Sequence, residues 1–333
     1  MDFGVFDHLD RNELPLNAYY ESRLQFCELY ERFGFYAYHL AEHHSTPLGM
    51  APSPNVFLAA VAQRTRRLRF GPLVYALPLH NPLRLIEEIA MLDQLSGGRL
   101  DMGFGRGASP IEIRLYGQPP EKAQGIYNEG VEIVLQGLSK QLVDFHGEFF
   151  SYDHVPIELE PFQKPHPPLW YGVHSVDSAE RAARLGFHVV SLDSATKTRP
   201  FFTRYDEIWA QSTSRGQPKR GIGRFVVVAD TDETALRAAR RAYPIWHRSF
   251  THLFRIYGGA PVHGRPPDFD GAVQTGQAIA GSPDSVTEAV RAQVNESGAN
   301  YFVGQFAFGD LSQAETSRSI HLFAEKVMPA FDI

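Results

Sequence analysis

Phe35-Tyr36-Ala37-Tyr38-His39-Leu40-Ala41-Glu42-His43-His44 sets an apolar, aromatic run directly against three consecutive titratable residues. Short runs of aromatic and aliphatic residues bounded by turn signals predict buried strands, here over Tyr36–Leu40. Just upstream, Tyr20, Leu24, Cys27 and Tyr30 share one face of a helical stretch that Gly34 stops. Helix and strand then alternate along the chain. Strands are predicted near Asp2–Phe6, Tyr36–Leu40, Arg69–Ala76, Leu100–Phe104, Leu169–Val173, His188–Leu192, Ile222–Val228 and Tyr301–Phe306. A capping box of Asp230 with Glu233 is predicted to open a helix carrying Ala235, Ala238 and Ala242.

Eight strands alternating with helices predict an α/β chain, a (β/α)8 TIM barrel with insertions, for which about 250 residues suffice. The expectation is one domain over residues 1–333 with insertions near 145–168 and 246–280. The first holds Pro156, Pro161, Pro165, Pro167 and Pro168 and predicts a hairpin plus an extended loop. The second holds Gly258-Gly259 and Pro266-Pro267 and predicts an irregular segment, either a mobile lid or a static excursion.

Composition narrows the function. Against 38 Asp+Glu stand 32 Lys+Arg, a net charge of −6, with no run of five like charges. That balance disfavours nucleic acid and anionic membrane surfaces, leaving a small molecule as the expected partner. The longest apolar run, Val56–Ala62, falls far short of the roughly 20 residues that span a bilayer. A single cysteine, Cys27, excludes an internal disulfide or a zinc knuckle, and with no signal-peptide pattern the expected location is cytoplasmic.

Barrel enzymes place their chemistry at the carboxyl ends of the strands, and those ends are polar: Asp7-His8, Glu42-His43-His44, His80-Asn81, Gly105-Arg106-Gly107 and His174-Ser175. Glu42, His43 and His44 are close enough in sequence to perturb one another's titration, as proton transfer requires. Gly105-Arg106-Gly107 permits close backbone approach and offers a guanidinium to a phosphate, but it lacks the dinucleotide Gly-x-Gly-x-x-Gly spelling. Ser175 and Ser178 open a helix whose free N–H groups suit a phosphate, although plain capping explains them equally. Gly281-Ser282-Pro283-Asp284 spells a similar helix start.

Read in order, Ala41-Glu42-His43-His44, Phe70 through Pro78 with His80-Asn81-Pro82, Leu92 through Leu100, and Gly103-Phe104-Gly105-Arg106-Gly107 resemble the bacterial luciferase-like, flavin-dependent monooxygenase family. The resemblance spans nearly the whole chain and is weakest over 199–220 and 246–280. It implies a barrel that binds reduced FMN (FMNH2) and activates O2 as a C4a-peroxyflavin to oxygenate a small organic substrate. The FMNH2 would come from a separate NAD(P)H:flavin reductase. By matching position, His43 corresponds to the catalytic histidine, Glu42 lies by the flavin and His44 supports it. Leu73 and Val74 correspond to a site under the flavin ring that often carries a non-proline cis peptide. Arg106, His174, Ser175 and Ser178 fall at phosphate-binding positions. His174 and Gly105 replace a Glu and a reactive thiol of the light-emitting members, which argues against light emission, and Asp193 replaces a flavin-side Trp. The resemblance further implies aromatic walls, for which Phe6, Trp170, Phe306 and Phe308 are candidates with burial in the core an equal reading for each, and a homodimer paired through the helices after strands 2 and 3. No metal is expected. Three rivals remain open here: hydride transfer with the deazaflavin F420, a metal-dependent barrel hydrolase using His8, His43, His44 and His80, and a catalytically silent flavin-binding protein or one subunit of a heteromer.

Overall fold

The strands form a ring of parallel neighbours. In the computed structural model, which describes residues 1–211 and 216–331, they are β1 (Asp2–Asp7), β2 (Ala37–Leu40), β3 (Arg69–Pro72), β4 (Tyr75–Ala76), β5 (Met102–Gly105), β6 (Leu142–His146), β7 (Ser151–Pro156), β8 (Leu169–Gly172), β9 (His188–Ser191), β10 (Arg220–Val228), β11 (Ala278–Gly281) and β12 (Tyr301–Gln305). Residues 212–215 and 332–333, which belong to the expected 1–333 domain, lie outside the described residues. Around the ring the order is β3-β2-β1-β12-β10-β9-β8-β5-β4. β3 and β4 are two pieces of the one strand predicted over Arg69–Ala76, interrupted at Leu73-Val74, where the peptide bond is cis. A parallel bridge between Phe70 and Leu100 closes the ring on the β3 side, while Tyr75 pairs with Phe104 on the β4 side. The result is the expected (β/α)8 barrel.

Two layers of core hold it together. Between strands and helices pack residues such as Leu58, Val61, Ile86, Ile89, Val134, Ile222, Val226 and Val290, all buried. Inside the ring lie Phe6, Ala41, Trp170, Val190, Tyr301 and Val303. The inside also carries polar groups that satisfy one another. Asp101 accepts from Arg69 at 2.6 and 2.9 Å and from the Trp170 indole at 3.0 Å, and His39 Nε2 meets the Tyr301 hydroxyl at 2.9 Å. Burying the Asp101 carboxylate is tolerable because the guanidinium and the indole N–H answer it.

Several local expectations need correction. The hairpin is β6–β7, starting at Leu142 rather than 145, because Gln141 adopts a left-handed conformation (φ 56°) that ends the preceding helix at once. Residues 246–280 are less irregular than predicted. The helix Asp232–Phe250 runs through Trp246, followed by helices His252–Tyr257 and Phe269–Gln274 and by β11, which pairs with β10. The Gly and Pro pairs mark only the stretch between those two short helices. β11 went unpredicted because Ala278–Gly281 is short and runs directly into a helix cap. The Asp230–Glu233 box is absent: Thr231 caps the helix by accepting from Thr234 N, and Asp230 instead pairs with Arg318. Ser282 does cap the helix Pro283–Ser297, with Pro283 in its first turn. Among the described residues no helix is long and apolar enough to cross a membrane.

Candidate active site

Because every ring strand points the same way, the polar strand ends share one mouth. They surround a cavity of about 380 Å³, a size that suits a small ligand or cofactor. Glu42, His43, Leu73, Val74, Arg106, His174, Ser175 and Ser178 all line it, drawn from the ends of β2, β3, β5 and β8. His44 does not line it. It stands behind Glu42, donating from Nε2 at 2.8 Å while its Nδ1 accepts from the Tyr116 hydroxyl at 2.7 Å.

Glu42 is fully engaged. Besides His44, its carboxylate receives His80 Nε2 at 2.9 and 3.0 Å and the Ala76 N–H at 3.0 Å. Burial works against its ionisation, yet the hydrogen bonds from His44, His80 and Ala76 prevail and bring its pKa down to about 2. It is therefore a fixed anion whose lone pairs are spent on orienting two imidazoles and one strand end. The partner of His43 is a different residue. His43 Nδ1 lies 3.1 Å from the Glu112 carboxylate, on the helix Pro110–Leu115. Burial disfavours the His43 cation, but Glu112, with a smaller contribution from Glu42, outweighs it and raises the pKa above the ordinary value. On its other side His43 stacks on His8, with ring centroids 5.7 Å apart. Burial first, then the nearby charges of His43 and Arg265, push His8 well below the usual imidazole range. The site thus pairs a basic imidazole with a neutral one.

Across the mouth, Arg106 is exposed and has no ion pair among the described residues. Ser175 caps the helix Val176–Leu185, its hydroxyl accepting from Ser178 N at 3.2 Å. The Ser178 hydroxyl accepts from Ser175 N at 3.0 Å and His174 N at 3.2 Å. Both serines therefore serve as caps, and the groups they leave for an anion are the first-turn N–H donors together with Arg106 and Arg181. His174 is held by Asp193 at 3.3 Å and stacks on His263 at 3.9 Å. Asp193, which Lys197 also binds at 2.8 Å, does not line the cavity.

The chain matches the luciferase-like monooxygenase family over residues 1–301. It belongs to that family. An uncharacterized protein, y4wF, of Sinorhizobium fredii is 40% identical over 93% of this chain and 91% of its own. The oxygenase component of a flavin-dependent trigonelline monooxygenase of Acinetobacter baylyi is 30% identical, over 72% of this chain and 68% of that one. Among solved structures, the monooxygenase RslO1 of Streptomyces bottropensis superposes with a TM-score of 0.91 at 26% identity, covering 100% of both chains. Solved structures of this fold include one in complex with FMN and one that is F420-dependent.

In this family member, three features of the site escaped the sequence reading. Glu112 sits in Ser109-Pro110-Ile111-Glu112, a spelling that reads as a capping box. Ser109 does cap Glu112 N at 3.3 Å, but the Glu112 carboxylate turns to His43. Arg181 lies three residues after Ser178 on one helix face, a spacing that would have found it. The aromatic wall also differs. Of the four candidates only Phe6 lines the cavity, with Tyr171, Phe225, Trp246, Phe250 and Phe254 supplying the rest. Trp170 lies inside the ring, Phe306 is buried in the main core, and Phe308 packs against Phe225, with ring centroids 5.1 Å apart, without lining the cavity. Among the described residues no three His, Cys, Asp or Glu side chains are grouped so as to hold a metal ion. His44 and His80 spend their Nε2 atoms on Glu42.

Proposed function

We propose that the chain is the oxygenase component of a two-component, FMNH2-dependent monooxygenase that oxygenates a small organic substrate with O2. The observation that carries this reading is the joining, in one cavity, of an anion-binding end (Arg106, Arg181 and the helix start at Ser175) with a carboxylate-backed imidazole, His43–Glu112. The cavity walls fit FMN. Leu73, Val74, Ala76 and Gly105 offer an apolar bed for a flat ring, and the unpaired Arg106 suits a phosphate. When bound, reduced FMN supplies the electrons for activating O2.

The protein's own part is binding, exclusion of water and control of one proton. Arg106, Arg181 and the first-turn N–H groups anchor the phosphate. Glu112 holds His43 Nδ1, so Nε2 is the nitrogen left to give or take a proton in the cavity, and the neighbouring carboxylate favours the protonated ring. Glu42 keeps His44 and His80 in place and fixes the end of β4 through Ala76 N. Trp246, Phe250 and Phe254 keep water from the reacting centre.

Three further readings belong to this proposal. The FMNH2 comes from a separate NAD(P)H:flavin reductase. The chain acts as one barrel domain, supported by a single ring that draws strands from Asp2 to Gln305. It works as a homodimer in a reducing cytoplasm, supported by exposed Val56, Met91 and Leu95 on the helices Pro54–Arg64 and Pro82–Ser96 and by a free, buried Cys27.

The test supplies reduced FMN and air with a panel of aldehydes, alkanes, sulfonates and terpenes, following FMNH2 oxidation by stopped-flow absorbance and products by mass spectrometry. Saturable binding of reduced FMN and incorporation of one oxygen atom are expected. Hydride transfer with F420 in place of FMN, or failure to bind FMN in either redox state, overturns the proposal.

A further inference from the structure

The lining of the cavity carries more positive charge than a phosphate needs. Its carboxylates, Glu42 and Glu112, are both spent, on His44 and His80 and on His43 respectively. The cations Arg106 and Arg181 belong to the end near β5 and β8, and Arg224 of β10, also at the cavity, is turned to the Gln293 amide oxygen and the Gly223 carbonyl. Arg265, from the stretch between the two short helices His252–Tyr257 and Phe269–Gln274, also lines the cavity, on the β9 side, next along the ring from β8. There its Nη1 donates to the Leu192 carbonyl at 2.9 Å, just past β9, and its charge is felt by His8, after β1.

Arg265 has no ion pair among the described residues. The nearby carboxylate that acts on it, Asp193, is already held by His174 at 3.3 Å and Lys197 at 2.8 Å. Trp246, packed on His8 with ring centroids 5.6 Å apart, keeps a buried indole N–H that has no acceptor, so a second donor is unmet at this end. A largely buried guanidinium with no counter-charge is costly unless a ligand supplies one. His8, held neutral, does not supply it. The main-chain carbonyl of Arg265 is fixed by His247 Nε2 at 3.2 Å, which sets the segment in place over the cavity.

We propose that the substrate carries a carboxylate and that Arg265 receives it, on the β9 side of the cavity beside Trp246 and His8. This rests on the flavin reading above, which assigns the other cationic end to phosphate. The planar guanidinium fork matches a planar carboxylate with two parallel hydrogen bonds.

The test uses the full chain, first without flavin and then with FMN bound. It is titrated with acetate, butyrate, octanoate, benzoate, phenylacetate and nicotinate and with the primary amide of each, read by tryptophan fluorescence and by flavin absorbance. At least one carboxylate is expected to bind ~10-fold or more tightly than its amide, the usual worth of a charged hydrogen bond. In Arg265→Ala that preference should fall to within about twofold, while Arg265→Lys keeps part of it. Arg265→Gln serves the same purpose should the alanine variant not fold. No preference in any pair, or an unchanged preference in the Arg265→Ala and Arg265→Gln variants, overturns the inference. FMN affinity, titrated separately, should be the same in all variants. Loss of FMN binding in the unsubstituted chain would count against the flavin reading alone, since the flavin-free titration still reports on Arg265.

Discussion

His43 depends on a carboxylate that is 69 residues away in sequence and 3.1 Å away in space. Replacing His43 by Ala is expected to lower substrate oxidation by roughly 10²-fold, the usual cost of losing an acid–base group. FMN affinity should stay within a few-fold, because the imidazole is not at the end proposed for the phosphate. Glu112→Gln keeps the shape and removes the charge, so the His43 pKa should fall. The limb of the pH–rate profile that reports His43 should then move to lower pH, a shift that simple loss of packing would not produce. At the opposite end, Arg106→Ala should weaken FMN by about 10-fold while leaving riboflavin nearly unaffected. Comparing the two ligands by fluorescence titration separates phosphate recognition from ring binding.

Elements place these side chains, and two of them can be tested without any ligand. Ser175→Ala removes the cap on Ser178 N and should cost about 1 kcal/mol in denaturant unfolding. In β3, a Cβ added to Gly71 would lie 1.9 Å from the main-chain oxygen of Asp101, and backbone at the closure of the ring has little room to yield. Gly71→Ala is therefore expected to destabilise by about 1–3 kcal/mol or more. The site should suffer with it, because β3 leads directly into Leu73 and Val74. Much of this level was legible in the chain. Tyr36–Leu40 is a strand because its local composition demands one, and Ser175 and Ser282 cap helices because the hydroxyl sits next to the donor it serves. Where local spelling misled, as at Asp230 and Glu112, a side chain had a better partner from a distant element.

At the scale of the molecule, the ring encloses ionisable groups that must stay in one protonation state. His39, inside the barrel, is brought down to about 3, by burial first and then by the charges of His188 and Arg69. The unfolded chain binds a proton there below about pH 6.5, whereas the folded one does not until about pH 3. Stability contributed by neutral His39 is thus full above pH 6.5 and declines as the pH falls towards 3. Glu42, at about 2, adds a second loss in more acid solution, from about 4.5 downwards. His39→Gln should flatten the dependence of Tm on pH between about 6.5 and 4 whatever its effect on absolute stability, as differential scanning fluorimetry across that range would show. The exposed Met91 and Leu95 belong to this scale too. Met91→Glu is expected to shift the chain towards monomer in sedimentation velocity, and an unchanged distribution would place the partner surface elsewhere.

By itself the sequence determined the alternation of strand and helix, the parallel barrel that follows from it, and the polar strand ends, including Glu42, His43 and Arg106. Those features rest on local composition and on the rule that parallel strands open their carboxyl ends to one side. Only the tertiary structure decided that Glu42 serves His44 and His80, that Glu112 serves His43, and that Arg265 reaches the cavity without a counter-charge. Closing the ring and folding residues 258–268 beside it bring together residues from distant stretches. Which carboxylate meets which imidazole, and which cation is left without one, is settled by those distances in space.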